Sequence, residues 1–545
     1  MTRTLFTIGL IACFAQPLVA QVTFERLLNA ADEPQNWLTY SGNYDSNRHT
    51  ALEQITTENV DSLELQWVFQ AQSLQVFQTT PLVVDGIMYL TEAPNTVVAL
   101  DAEQGRVFWR YEYTPSNLSR PCCGRVNRGV AILGDTLFMG TIDAKLIAID
   151  AISGEPIWQT DVADPEAGYA LTLSPLIVKD KVIVGIAGGE YGIRGFISAY
   201  DVNTGEEAWK FYTIPGPGEP GHETWQDDDW MYGGASAWIT GSYDPDTDLV
   251  YWGIGNPGPD WNPEQRPGDN LYSDSVVALN PNTGELEWYF QFTPNDPYDY
   301  DAVQVPVLVD YPAQDGSMLK LMLFGNRNGF FYILDRATGR FINGEPYIDL
   351  NWAEGLDDVG RPIFTPQPPG TTTYPGVQGG TNWYSPSYSP STRLFYMSTW
   401  EGNGSNFEAQ EAEYEPGRTF LGGRPAPPVP GAALPNLARG PINTWTESAG
   451  TGAVKALDPA TGEERWKFPM TDVTTSGILT TATDVLFTGG REGYFHALDA
   501  RTGDLLWKQT LGGMIANGPI SYSIDGRQYV AAASGNALFV FALEE

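Results

Sequence analysis

The chain has 545 residues, and 67 acidic against 30 basic side chains leave a formal net charge of -37 at pH 7. That surplus excludes partners that are themselves strongly anionic, nucleic acid and acidic lipid above all, and it suits a basic soluble partner or plain solubility. Length alone suggests several domains, a prior that internal repeats override.

Residues 1–20 read as an export signal. Arg3 supplies the positive start, residues 5–15 are an apolar run too short to span a bilayer, and Leu18-Val19-Ala20 gives a small-residue cleavage pattern before Gln21. No later stretch is apolar for long enough to cross a membrane. The expectation is an exported, soluble chain in which residues 21–545 form one domain. Cys13 leaves with the signal, so Cys122 and Cys123 remain, adjacent, in a compartment that permits disulfides. Neighbouring Cα atoms sit about 3.8 Å apart, closer than the usual bridged range of about 4.4–6.8 Å. Chemistry alone leaves a small-ring bridge and two free thiols equally open.

From residue 98 onward a short pattern recurs: apolar-Ala-Leu-Asp, a turn ending in Thr-Gly, then Trp. It occupies 98–109 (VALDAEQGRVFW), 147–158 (IAIDAISGEPIW), 198–209 (SAYDVNTGEEAW) and 277–288 (VALNPNTGELEW). A weaker copy starts at Tyr332 (YILDRATGRF), and strong ones return at 455–466 (KALDPATGEERW) and 496–507 (HALDARTGDLLW). Each reads as strand, Asp-initiated turn with Gly at positive φ, and returning strand. Hairpins recurring every roughly forty to fifty residues imply a propeller, since one unit cannot bury its own apolar face. Trp67 (LELQWVFQ) looks like the same position in a blade whose turn is missing, and 536–543 is the strand to close the ring against N-terminal residues. Seven copies plus that one predict an all-β, eight-bladed propeller with Trp-docking repeats, the Trp and Gly serving structure. Between 343 and 444 the rhythm fails in a Pro-, Gly- and aromatic-rich stretch, read here as a degenerate blade with long loops over one face.

Three segments break the hairpin pattern with polar groups: GGEYG at 188–192, GNPGP at 255–259 and DPYDYD at 296–301. Glu190 and Asn256 each follow an apolar strand-like run, which lets them point into a central channel. A hard cation wants several oxygen ligands, and a Glu, an Asn and an Asp pair from three blades meet that demand. Singly, each is better explained as a solvated loop group; only their joint occurrence is informative.

On these residues the sequence resembles the PQQ-dependent alcohol dehydrogenases, the family that includes the large subunit of methanol dehydrogenase. The likeness runs from 36–55 (NWLTYSGNYDSNRHTALEQI) to the last strand, and its most specific pieces are Cys122-Cys123, GGEYGIRG, GNPGPDWN and DPYDYD. The resemblance implies an eight-bladed propeller, as the repeats do. It implies a Cys122–Cys123 disulfide against one face of the pyrroloquinoline quinone and Trp238 stacked on the other. Arg128, Thr172, Ser236 and the backbone of Ala187, Gly188 and Gly189 fall where the family binds the cofactor's carboxylates and carbonyls. Asn382 and Trp383 fall at a further contact. Where relatives often carry Glu before TPLVVDG this chain has Gln78, an amide that both donates and accepts.

The same resemblance makes Glu190, Asn256, Asp299 and Asp301 metal ligands, Asp299 the general base and Arg327 the residue near the reactive carbonyl. An Asp at 301 resembles the lanthanide-using members. The charge count agrees, because one extra like-charge pair at about 4 Å costs about 4 kcal/mol at an effective dielectric near 20, and a trivalent ion offsets that better than Ca²⁺. The implied reaction is oxidation of a primary alcohol to an aldehyde in the periplasm. The absence of a Cys-x-x-Cys-His site sends the electrons to a separate acceptor, a soluble cytochrome c. No glycine-rich dinucleotide fingerprint points to a nicotinamide. Dimers are common in that family, so a homodimer is a further expectation. Two alternatives stand beside this reading: a quinoprotein for a polyol, sugar or aldehyde, and a non-catalytic propeller scaffold, which has no use for the cysteine pair or the acidic residues.

Overall fold

The computed structural model describes residues 21–313, 315–368, 370–426 and 450–544. The expected export signal at 1–20 lies outside the described residues, as does part of the Pro-rich stretch. Antiparallel pairing gathers the chain into eight blades. Blades 1 to 5 occupy residues 82–112, 131–161, 176–212, 242–291 and 307–346, and blades 6 and 7 occupy 387–469 and 479–510. Blade 8 combines residues 520–543 with an outermost strand from the N-terminal side, Leu63–Gln70.

Local chemistry makes each outer hairpin. The carboxylates of Asp101, Asp150, Asp201, Asp335, Asp458 and Asp499 accept the N–H groups two and three residues on, the Asx arrangement that starts a tight turn. The turn ends on a glycine at positive φ (+71° at Gly105 and Gly205), where a Cβ would be strained. The returning strands carry the Trp, and at six of the eight junctions its indole lies on the turn glycine of the next blade. A Cβ on Gly154 would stand 2.6 Å from the Trp109 ring, one on Gly284 2.5 Å from Trp209, and one on Gly503 2.6 Å from Trp466. The indole N–H then reaches a carbonyl of that same next blade: Trp158 to Val202 (3.1 Å), Trp209 to Pro281 (2.9 Å) and Trp466 to Ala500 (3.0 Å). Blade 5 lacks this Trp, and there Gly462 faces the Glu345 side chain instead.

Closure follows the same rule. Leu63–Gln70 pairs antiparallel with the last strand, Leu63 opposite Leu543 and Gln70 opposite Ala537. Trp67, on that strand, covers Gly105 of blade 1 at 2.5 Å from its Cβ position. The stretch read as a degenerate blade is corrected by the structure. Blade 6 is a complete four-stranded sheet, and the rhythm fails because chain is inserted before it and between its second and third strands. Those insertions carry two small hairpins, Ala353–Leu356 with Pro362–Phe364 and Phe407–Ala409 with Gly423–Pro425.

Residues 36–50 run from blade to blade along the propeller's inner strands. Trp37 bridges Val83 of blade 1, the Tyr44 hydroxyl donates to Ile177 of blade 3 (2.6 Å), and the Asp45 carbonyl accepts from Leu308 of blade 5 (2.9 Å). The fully buried Arg48 guanidinium donates to the carbonyls of Tyr40, Ile478 and Pro519. One peptide thus ties together blades far apart in sequence.

The Trp–Gly contact predicts that Gly205→Ala, which combines a disfavoured left-handed backbone with a Cβ 2.6 Å from Trp158, costs about 2 kcal/mol or more. Trp158→Phe, which loses the N–H bond to Val202, costs about 1 kcal/mol. Denaturant unfolding of the two variants measures both.

Candidate functional site

The loops that join the second and third strands of the blades, with those that join one blade to the next, surround a cavity of about 510 Å³. Cys122 and Cys123, joined by a disulfide, line it from the loop between blades 1 and 2. Trp238, from the loop between blades 3 and 4, and Trp383, from the loop before blade 6, line it as well. Trp238 rests on an apolar platform of Tyr40, Ile239, Val303 and Val305, so the N-terminal segment forms part of its support.

Arg128 joins the two indoles. Its guanidinium carbon lies 5.2 Å from the Trp238 ring centre and 4.6 Å from that of Trp383, both within cation–π range. One terminal N–H donates to the Thr172 carbonyl (3.2 Å), while Thr172 Oγ1 reaches the Trp238 carbonyl (3.4 Å). Burial pushes the Arg128 pKa down to about 10, which leaves it a cation at neutral pH. Its Nε and the Gln78 Oε1 are buried, without a hydrogen-bond partner among the described residues, in two residues that line the cavity. Buried polar atoms are rarely left so; these two are an unmet donor and an unmet acceptor on residues that line one space.

Ala187 and Gly188 contribute backbone to the wall. Ala187 bridges Ala170 in both directions (2.8 and 3.1 Å), and Gly188 lies so near Gly168 that a Cβ would stand 2.3 Å from its carbonyl oxygen. The Glu190 carboxylate enters the cavity and lies 2.6 Å from Cys122 Sγ and 3.5 Å from Cys123 Sγ. Disulfide sulfurs carry no proton, so these are contacts and not hydrogen bonds. The Glu190 main chain is held from outside, its carbonyl accepting the Phe420 N–H (2.7 Å) from the blade 6 insertion.

A second polar group gathers on Arg327. Its Nη1 donates to Asp301 Oδ2 (2.6 Å), and its Nη2 lies 3.4 Å from Asp299 Oδ1. Its Nε donates to the Val377 carbonyl (3.0 Å), which Nη2 reaches too. The other Asp301 oxygen accepts the Asn256 backbone N–H (3.0 Å). Asp301 and Arg327 line the cavity; Asn256 and Asp299, both buried, adjoin it through them. Ser236 and Gly189 adjoin it too: the Ser236 carbonyl accepts from Gly255, and a Cβ on Gly189 would meet Ser236 Oγ at 3.2 Å and Asn256 Oδ1 at 4.0 Å. The carboxylates of Asp299 and Asp301 therefore share a guanidinium, while that of Glu190 lies against the disulfide. The three do not close on a single point: among the described residues the one such cluster is Glu190 with the two cysteines.

Asp296, quoted with this segment, holds the turn: its oxygens accept the N–H groups of Tyr298 (2.8 Å) and Tyr300 (2.6 Å). Behind it Asp274 is fully buried with neither oxygen hydrogen-bonded, and burial, reinforced by the Asp296 charge, raises its pKa well above the carboxylate range. Sequence reading omitted Gln378, Pro121, Gly124, Val126 and Ala170, which also line the cavity. Of these, Gln378 stood closest to detection, in the same GVQGGTNW run as Asn382 and Trp383.

Residues 37–344 match the family of glucose/ethanol/alcohol dehydrogenase β-propeller domains, and residues 450–544 match that of the outer membrane protein assembly factor BamB. The chain is 36% identical to the quinoprotein alcohol dehydrogenase PedH of Pseudomonas putida, over 98% of this chain and 92% of that one. It is also 36% identical to the lanthanide-dependent methanol dehydrogenase of Methylacidiphilum fumariolicum, over 94% of this chain and 86% of the relative. Among solved structures, a europium-containing methanol dehydrogenase superposes with a TM-score of 0.87 at 33% identity, covering 95% of this chain and 100% of the other. The quinohemoprotein alcohol dehydrogenase ADHIIG of Pseudomonas putida gives 0.88 at 32%, covering 96% and 83%.

The raised Asp274 pKa sets the sign of a pH effect. A carboxyl whose folded pKa lies above its unfolded value stabilises fully at acid pH, and that contribution is lost as pH rises through the folded value. Asp274→Asn removes the titration, so its melting temperature relative to the parent, scanned from pH 5 to 8 on cofactor-free protein, is expected to rise with pH.

Proposed function

The chain belongs to the PQQ-dependent alcohol dehydrogenase family, and from that premise we propose that it is a periplasmic enzyme that oxidises a primary alcohol to an aldehyde and hands the electrons to a soluble cytochrome c. The observation that carries the site assignment is the pair of unmet polar atoms, Arg128 Nε and Gln78 Oε1, on side chains that line a cavity together with the disulfide and two indoles. A flat, conjugated polyanion suits those demands: aromatic and sulfur surfaces stack on it, a buried cation meets a carboxylate, and an amide oxygen meets a ring N–H. The residues present fit the quinone.

When bound, PQQ accepts the two electrons of the alcohol and the metal ion polarises the quinone carbonyl. Cys122–Cys123, Trp238 and Trp383 would hold its ring. Arg128, Thr172, Ser236, Asn382 and the backbone of Ala187, Gly188 and Gly189 bind its polar rim. Glu190, Asn256, Asp299 and Asp301 would hold the ion, with the Glu190 carboxylate turned from the disulfide and those of Asp299 and Asp301 from Arg327. Asp299 takes the hydroxyl proton on a carboxylate oxygen. Its neighbour Arg327 keeps that carboxylate oriented and carries positive charge where negative charge develops. Trp238 stands on Tyr40 and the valines beneath it, so the floor is fixed before substrate arrives. The net charge of -37 supports a basic cytochrome as acceptor through long-range attraction. An N-terminal export signal puts the enzyme in the periplasm, and a homodimer is its assembly.

Glu190, Asp299 and Asp301 would together bring three negative charges to one ion, a count that favours a lanthanide over calcium. Reconstitution of the apoenzyme with PQQ and La³⁺ is expected to restore alcohol oxidation where Ca²⁺ does not; full activity with Ca²⁺ alone would sink that assignment. Asp299→Asn removes the base and keeps the shape. Its PQQ absorbance after loading should match the parent, while kcat falls by about 10²–10⁴; turnover near the parent's would require another base.

A further inference from the structure

Three amide side chains line the cavity, Gln78, Gln378 and Asn382, and the structure commits two of them. Gln78 has its oxygen buried without a partner, a fixed demand that a resident cofactor meets. Asn382 is satisfied within its own turn: Nδ2 donates to the Gln378 carbonyl (3.1 Å), and Oδ1 accepts the Trp383 N–H (2.9 Å). Gln378 differs. It is half-buried, and among the described residues no hydrogen bond involves its carboxamide, which is left available to a ligand that comes and goes.

Its position is fixed by the residues on either side. The carbonyl of Val377 accepts from Arg327 Nε and Nη2, and the Gly380 N–H donates back to the Arg327 carbonyl (3.0 Å). Gly379 sits at φ +72°, and a Cβ there would stand 2.1 Å from Arg327 Cγ, so the turn can wrap the arginine only with glycine at that place. The turn therefore ties Gln378 to the guanidinium that pairs with Asp301 and Asp299. Its backbone lies beside the arginine that pairs with the proton-accepting Asp299.

We propose that Gln378 is a specificity-determining residue that offers its carboxamide to a second oxygen of the substrate, so that the preferred alcohols carry a hydroxyl or ether on the carbon next to the one oxidised. The inference rests on the reading of the cavity as the alcohol site. An amide can donate to an ether or accept from a hydroxyl, whereas an alkyl chain in the same place leaves it unpaired. One neutral hydrogen bond gives a preference of about tenfold, below the discrimination of a fully buried polar site.

The test compares 1-propanol with 1,2-ethanediol, in which a hydroxyl replaces the terminal methyl, using holoenzyme loaded with PQQ and La³⁺ and an artificial electron acceptor. The parent is expected to favour the diol by about tenfold in kcat/KM, and Gln378→Met to bring that ratio close to one while retaining PQQ. A parent without preference overturns the proposal by itself, whether or not the variant folds. A variant that keeps the parental ratio overturns it as well, and if its PQQ occupancy is also lowered Gln378 is a cofactor ligand instead. A parent that oxidises neither alcohol would defeat the alcohol-site reading, and the proposal with it.

Discussion

Everything at the centre of this molecule depends on an indole lying flat on a glycine of the next blade. A single blade has two apolar faces and cannot bury them alone. The Trp covers the turn glycine so closely that no Cβ fits, at Gly105, Gly154, Gly205, Gly284, Gly339 and Gly503 alike. The contact is missing at two junctions: between blades 5 and 6 the Glu345 stem takes the place, and between blades 7 and 8 Trp507 packs on Phe541. Ring closure by Leu63–Gln70 against Ala537–Leu543 then makes the arrangement rigid, because the ring cannot open without breaking a whole ladder.

Rigidity matters because the site is assembled from loops that share no blade. The disulfide, Trp238, Glu190, Asp301, Arg327 and Trp383 come from between residues 122 and 383 and meet in one cavity. None of these loops is shaped by its neighbours in sequence alone. The insertion of blade 6 holds the Glu190 turn through Phe420, and the turn at 376–380 holds Arg327 through Val377 and Gly380. The N-terminal segment reaches the floor through Tyr40.

Charge is distributed to match. The chain is strongly acidic overall, yet Arg48, Arg128, Arg266 and Arg327 are all buried. Arg48 and Arg266 are held by carbonyls and an amide oxygen and act as structure. Arg128 and Arg327 face the cavity. Desolvation lowers the pKa of Arg128 but leaves it charged, so one end of the cavity attracts an anion while the other joins a cation to two carboxylates.

The repeats were legible because hairpin and docking chemistry is local: Asp, Gly and Trp within a dozen residues carry their own instructions. Blade count, the closing strand and the role of Trp67 followed from that alone. The stretch between 343 and 444 misled, since inserted loops erase the period without erasing the blade. Site residues in short distinctive runs, such as the cysteine pair and GGEYG, were readable through resemblance. Gln378 was not, because its meaning comes from Arg327, 51 positions away by residue number. Sequence by itself determined the unit and its number, through contacts that close within one hairpin or between adjacent blades. Only the tertiary structure decided which side chains face the cavity, which amide is left without a partner, and that Asp299 and Asp301 share one guanidinium. Those are relations between loops brought together by closing the ring, and no interval along the chain encodes them.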